Sequence, residues 1–273
     1  MIPFVYMTET KPQQYTTDFI SILHCPLLFD SAPFAADDDW LSQFRRRATI
    51  PAPSGYQGNR RLGFYYQWLW KQLIKAHPDY ELVAEEIQLQ WQKQTVGAID
   101  FLVRNLMSGE LEHWEVAIKF YLAYQRSWPG PNAKDNLDKK IQRMLDHQLR
   151  LCEHPAYQSQ LAERYGQPTK KRLIMQGRLF YPVHNNAYGS SPGSDIQLNP
   201  KAFTGLWGYR SETKELPLKC IGKENWISPP AYHALEMTQL PAPISTPVQA
   251  VDPDNRIWFI MPDDWPHNQS NYK

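Results

Sequence analysis

Hydrophobic spacing changes period repeatedly between residues 60 and 185. Leu62, Tyr66, Leu69, Trp70, Leu73 and Ile74 recur at three- and four-residue steps, which predicts a helix ended by His77-Pro78. From Tyr80 to Trp91 the pattern alternates. Val83, Ile87, Leu89 and Trp91 fall mostly on one side, with Glu86, Gln88 and Gln90 on the other, as in a half-buried strand. Val96–Arg104 reads as a second strand, Asn105–Gly109 as a turn and Leu111–Leu122 as a third strand. So short a link makes the last two an antiparallel hairpin. Beyond the breaker Trp128-Pro129-Gly130-Pro131-Asn132, the residues Leu137, Ile141, Met144, Leu145, Gln148 and Leu149 share one face of a second helix. Arg172–Pro182 predicts another strand, with weaker ones at Thr204–Tyr209, Leu216–Ile221 and Arg256–Met261. The central order is helix, strand, strand, strand, helix, strand.

Composition sharpens where that core ends. Of 23 prolines only six (Pro78, Pro129, Pro131, Pro155, Pro168, Pro182) lie in residues 58–185. Proline interrupts helices and central strands, so the longest regular elements belong to the middle. We expect a wrapping segment at 1–57, a core at 58–185 and a Pro-rich β extension packed on it at 186–273. The 273 residues carry 29 Lys+Arg against 28 Asp+Glu, a net +1. That excludes a uniformly basic coat for nucleic acid but not a local patch. No apolar run is long enough for a membrane span. The start, Met1 to Met7, lacks a basic n-region, so no signal peptide is expected. Cys25, Cys152 and Cys220 have no metal-site spacing and fit reduced thiols in a cytoplasmic protein. Phosphate-loop, dinucleotide and nucleophile-elbow motifs are absent.

Two positions carry the candidate chemistry. Asp100 interrupts the apolar run Ala98–Val103, where a carboxylate without a partner is costly. On the next strand Glu115 and Lys119 are four apart, twice the strand period, so they share a face with Ala117. With a suitable register Asp100, Glu115 and Lys119 converge. Carboxylates on adjacent strands suit a hard divalent cation, and a lysine suits a developing negative charge. The same three residues also fit a purely structural ion-pair cluster.

Gly97–Leu102 followed by Glu115-Val116-Ala117-Ile118-Lys119 resembles the acidic hairpin of the restriction-endonuclease-like, or PD-(D/E)XK, nuclease superfamily. The element order is similar to that superfamily's core. More closely, residues 20–265 resemble the bacterial domain-of-unknown-function family numbered 1853. The likeness rests on Arg61-Leu62-Gly63, Ile99–Leu102, His113–Leu122, Gly130-Pro131-Asn132, Asp135–Lys140, His147-Gln148-Leu149 and Gly177–Pro182. The resemblance implies an α/β, restriction-endonuclease-like core of a helix, three antiparallel-leaning strands, a helix and a strand, with Pro-rich extensions. It implies a nuclease or phosphodiesterase using Mg²⁺ or Mn²⁺ on DNA or RNA. Asp100 and Glu115 would ligate the metal and Lys119 would be the motif lysine. Glu86 is a further candidate ligand, and Gln67 and Gln148 are accessory candidates. The chain departs from the pattern at Ala117, where the superfamily has an acid, and at Gln67, where many members have glutamate. The alternative is therefore an inactive nuclease-like fold that binds nucleic acid or protein.

Overall fold

The long middle strands form because β-branched and aromatic residues alternate with polar ones across a surface covered on both sides. The computed structural model describes residues 12–52, 55–184, 189, 191–237, 240 and 242–267, so the stretch 1–11 read for a leader lies outside the described residues. The chain opens with α1 (Pro12–His24), β1 (Phe29–Ser31) and α2 (Asp38–Arg47), followed by α3 (Leu62–Ala76). Next come β2 (Tyr80–Trp91), β3 (Gln94–Asn105) and β4 (Leu111–Leu122). α4 (Leu137–Asp146) leads through a 3-10 segment, Gln148–Glu153, into the short α5 (Pro155–Gln160) and α6 (Ala162–Tyr165). β5 (Lys170–Pro182), β6 (Gln197–Leu198), β7 (Phe203–Tyr209), α7 (Arg210–Thr213), β8 (Lys219–Ile221), β9 (Val248–Val251) and β10 (Ile257–Met261) complete it.

Eight strands form one mixed sheet in the order β2-β3-β4-β5-β7-β10-β9-β8. β2, β3 and β4 are antiparallel neighbours, while β4, β5, β7 and β10 run parallel. Gln92 and Lys93, both at positive φ, turn β2 into β3 by the tight two-residue hairpin that matches strand twist. The sheet is covered on both faces. On one, Trp114, Val116, Ile118 and Phe120 pack with Leu69, Trp70 and Leu73 of α3. On the other, Tyr121 and the half-buried Ala117 pack with Leu137, Ile141 and Met144 of α4.

The expected core elements form, with three differences from the sequence reading. The second helix ends at Asp146, and Gln148 opens the 3-10 segment instead of continuing it. The C-terminal extension does not merely pack on the core: β7, β8, β9 and β10 continue the same sheet. The strand expected at Leu216–Ile221 is shorter, Lys219–Ile221, because Pro217 cannot donate to a ladder. α1, β1, β6 and β9 gave no signal strong enough to predict. Asp37 caps α2 by accepting from Trp40 N–H at 2.7 Å. Trp207, Trp258 and Trp265 are buried in the core. Cys25, Cys152 and Cys220 are free thiols.

One glycine fixes the spacing at the middle of the sheet. Gly177 pairs with Lys119 in the β4–β5 ladder and has φ 145°. A Cβ there would lie 1.7 Å from the Lys119 carbonyl oxygen. Gly177→Ala should therefore cost about 3 kcal/mol or more in urea unfolding, since both the backbone region and the space exclude a side chain. Gly63→Ala, with nothing within 4 Å of the added carbon, should be neutral or slightly stabilising. Equal stabilities for the two variants would contradict the close approach.

Candidate active site

β3 and β4 are twelve residues each, yet they pair only over Phe101–Arg104 and Leu111–Trp114. Beyond that point β3 keeps β2 as its neighbour and β4 keeps β5. The sheet forks, and the first residues past the last pair are Asp100 and Glu115. Backbone N–H groups that lose a ladder partner must find another acceptor. Here the carboxylates supply it. Val116 N–H donates to Asp100 Oδ2 at 2.9 Å, and Asp100 N–H donates to Glu115 Oε1 at 3.3 Å. Each strand is thus tied by its own carboxylate to the other strand's backbone.

Glu115 is 1% exposed and His113 is fully buried, while Asp100 is half-buried. His113 Nε2 lies 2.8 Å from Glu115 Oε1, and Gln148 Nε2 donates to Glu115 Oε2 at 3.3 Å. Gln148 also reaches the Ala98 carbonyl at 3.4 Å, so the 3-10 segment after α4 closes over the fork. Burial pushes Glu115 up to about 7, against which the Asp100 N–H, Gln148, Lys140 and the Asp100 carboxyl hold it down. Asp100 is raised well above the usual carboxylate range, first by burial and then by the Glu115 charge. Burial lowers His113 to about 4, so at neutral pH its imidazole is uncharged while its Nε2 shares a hydrogen bond with Glu115 Oε1. Its buried Nδ1 has no partner among the described residues.

Lys119 lies on the same face as Glu115 but is engaged elsewhere. Its Nζ is 2.6 Å from Asp135 Oδ2, and the Tyr121 hydroxyl donates to that oxygen at 3.4 Å. Asp135 is held by a turn: Asn132 Oδ1 accepts from the N–H groups of Lys134 and Asp135, and Gly130 N–H donates to the Asp135 carbonyl. Asn136 then caps α4 by accepting from Asp138 N–H at 2.9 Å.

Of the residues singled out from sequence, Asp100, Glu115 and Gln148 come together. Glu86 does not join them. It is exposed, sits at φ 48°, and its charge is felt by Tyr56, which packs with the α3 cluster. Its positive φ breaks the extended backbone that the alternating pattern assumes, although the β2–β3 register is continuous from Glu85 to Ile87. Among the described residues no three His, Cys, Asp or Glu side chains gather as a cation cage. Gln67 is half-buried on α3, across the sheet from α4, without a hydrogen bond to the pair. Three participants went unassigned in the sequence. His113 is two residues before Glu115 and so on its face, a signal that was available. Lys140 flanks the apolar face of α4, and Asp135 is placed by its turn alone.

The folded chain keeps the Glu115 proton up to about pH 7, whereas an ordinary glutamate loses it near 4.5. Stability from this group is therefore complete below pH 4.5 and is lost as pH rises through 7. His113 shifts the opposite way in wild type and variant alike. Without divalent metal, Glu115→Gln should be more stable than wild type at pH 8 by about 3 kcal/mol, and the gap should close at pH 4. Urea unfolding at the two pH values reads this directly. Identical curves at pH 8 would mean that Glu115 ionises without cost.

No curated protein and no solved structure matches the chain. The family model described as a domain of unknown function, DUF1853, matches residues 11–256, and the chain belongs to that family.

Proposed function

We propose that the chain is a divalent-metal-dependent nuclease or related phosphodiesterase on a restriction-endonuclease-like core. The carrying observation is the pair Asp100 and Glu115, half-buried and buried respectively where two strands part, with both carboxyls raised in pKa. Two carboxylates forced together in a dry site favour a cation between them. The element order supports the reading: α3, then antiparallel β2, β3 and β4, then α4 on the opposite face, then β5 parallel to β4.

The donor set fits a hard cation. Asp100 and Glu115 would hold it, with the Gln148 amide and the Ala98 carbonyl adjoining as further oxygen donors. Mg²⁺ commonly takes only one or two protein carboxylates and completes its shell with water and substrate phosphate. A bound Mg²⁺ or Mn²⁺ supplies Lewis acidity toward a phosphoryl oxygen and lowers the pKa of bound water. The protein's part is to fix the carboxylates through the crossed backbone bonds, exclude bulk water with Gln148 and Leu151, and hold positive charge nearby. Lys139 and Arg143 are exposed on α4 and suit a nucleic-acid backbone. A second reading, a nuclease-like module that binds without cleaving, is favoured by Ala117 and by the tie of Lys119 to Asp135.

Both carboxyls must be ionised to ligate, so Mn²⁺ or Mg²⁺ should raise the melting temperature more at pH 8 than at pH 6, and not at all in Asp100→Ala. With a panel of DNA and RNA substrates, wild type should cleave only with metal, and Asp100→Ala should lose about 100-fold or more. Equal cleavage by the variant would expose a contaminant. Metal-insensitive melting with no cleavage would sink the nuclease, and retention of intact labelled strand would then favour the binding module.

A further inference from the structure

The site holds two lysines near its carboxylates, and among the described residues Lys119 alone of the two has a hydrogen-bonding partner. Lys119 is ion-paired to Asp135 at 2.6 Å, on an oxygen that also receives the Tyr121 hydroxyl. Its charge is matched and its donors point along the loop that starts α4. Lys140 is half-buried on α4 and has no hydrogen bond or ion pair among the described residues. A partly desolvated ammonium without a partner is an unfavourable arrangement unless an anion is meant to meet it.

The surroundings of Lys140 locate it. Asp100 and Glu115 both feel its charge, and Lys140 in turn feels Lys119, Asp135 and Glu115. α4 starts beside the Lys119–Asp135 pair and its continuation meets Glu115, so Lys140 lies on the helix that spans the two. Gln148, just beyond the end of α4, touches Glu115. α4 and its continuation thus lay an ammonium and an amide along one approach to the fork. Burial and the neighbouring Lys119 hold the Lys140 ammonium below its ordinary pKa.

We propose that Lys140, and not Lys119, supplies the ammonium that contacts the scissile phosphate and stabilises its developing charge. This assignment rests on the phosphodiesterase reading above. In the hydrolysis, water oxygen bonds to phosphorus as the bond to the leaving alkoxide breaks. The water's proton passes to solvent and the alkoxide takes one from solvent. Lys140 keeps its own proton throughout and acts by charge alone. Lys119, through Asp135, is a positioning residue that fixes the start of α4 and hence the place of Lys140.

The test compares Lys140→Met, Lys140→Arg, Lys119→Met and wild type in Mn²⁺-dependent cleavage of labelled DNA and RNA, with metal-induced melting shifts measured on each. Lys140→Met should lose about 100-fold in rate while keeping the metal-induced shift, and Lys140→Arg should recover part of the rate. Lys119→Met should stay within about tenfold of wild type. A Lys140→Met rate close to wild type, or equal losses at both lysines, would overturn the assignment while the nuclease reading stands. Should Lys140→Met fail to fold, Lys140→Gln takes its place with the same criteria. No cleavage by wild type with any metal overturns both.

Discussion

Where β3 leaves β4, the ladder N–H groups of Asp100 and Val116 are left to side chains, and carboxylates take them. The rest of the site follows from that substitution. Backbone donors at a sheet fork cannot be left bare, because a buried unsatisfied N–H costs a free energy comparable to a lost hydrogen bond. A neutral acceptor would serve the purpose with less desolvation. Two carboxylates serve it at a high electrostatic cost, visible in the raised pKa of both. Charge is an expensive way to mend a sheet, so its presence argues that the fork does something beyond pairing strands.

The surrounding groups offset that cost only in part, and each comes from a different element. His113 from β4 hydrogen-bonds Glu115 without adding charge, because its own burial keeps it neutral. Gln148 donates from the segment after α4, and Lys140 contributes a field from α4 itself. The Lys119–Asp135 pair is internally neutral and adds little net field at the carboxylates. What remains is a half-open fork whose negative field develops as its two raised carboxyls ionise, with Lys140 on α4 unpartnered among the described residues. Such a field binds a cation and a phosphate together better than either alone.

How far the sequence carried depended on whether a residue's role was set by strand period or by tertiary placement. The faces of β4 were legible because alternation puts Glu115, Ala117 and Lys119 on one side regardless of context. Asp100 was legible because a carboxylate in Ala98–Val103 has no bland place to go. The crossing of the bonds was not legible, since it depends on the ladder stopping after four pairs. Nor was the partner of Lys119, because Asp135 reaches it only through the turn made by Gly130 and Asn132. Glu86 misled because its positive φ breaks the extended backbone that the pattern assumed. The Pro-rich tail was expected as a covering layer, yet its short strands find unpaired backbone at β5 and add to the sheet, which periodicity alone cannot foresee.

That extension bears on the site even though it contributes no residue to it. A β5 edge left open would be free to shift against β4, and Lys119 sits opposite Gly177 with no clearance between the backbones. β7 closes that edge along Leu179–Pro182, and the Trp207 indole N–H donates to the Ala123 carbonyl just beyond β4 at 3.0 Å. From the other direction, Gln176 of β5 donates to the Ile22 and Cys25 carbonyls and accepts from the Tyr66 hydroxyl of α3 at 2.6 Å. β4 and β5 are thereby clamped from the N-terminal segment, from α3 and from the C-terminal strands. The fork opens against a fixed wall: β2 and β3 are the strands that depart, and β4 is the one held. Carboxylates spaced by such a wall keep their geometry when a cation arrives, which is the preorganisation that an electrostatic site depends on.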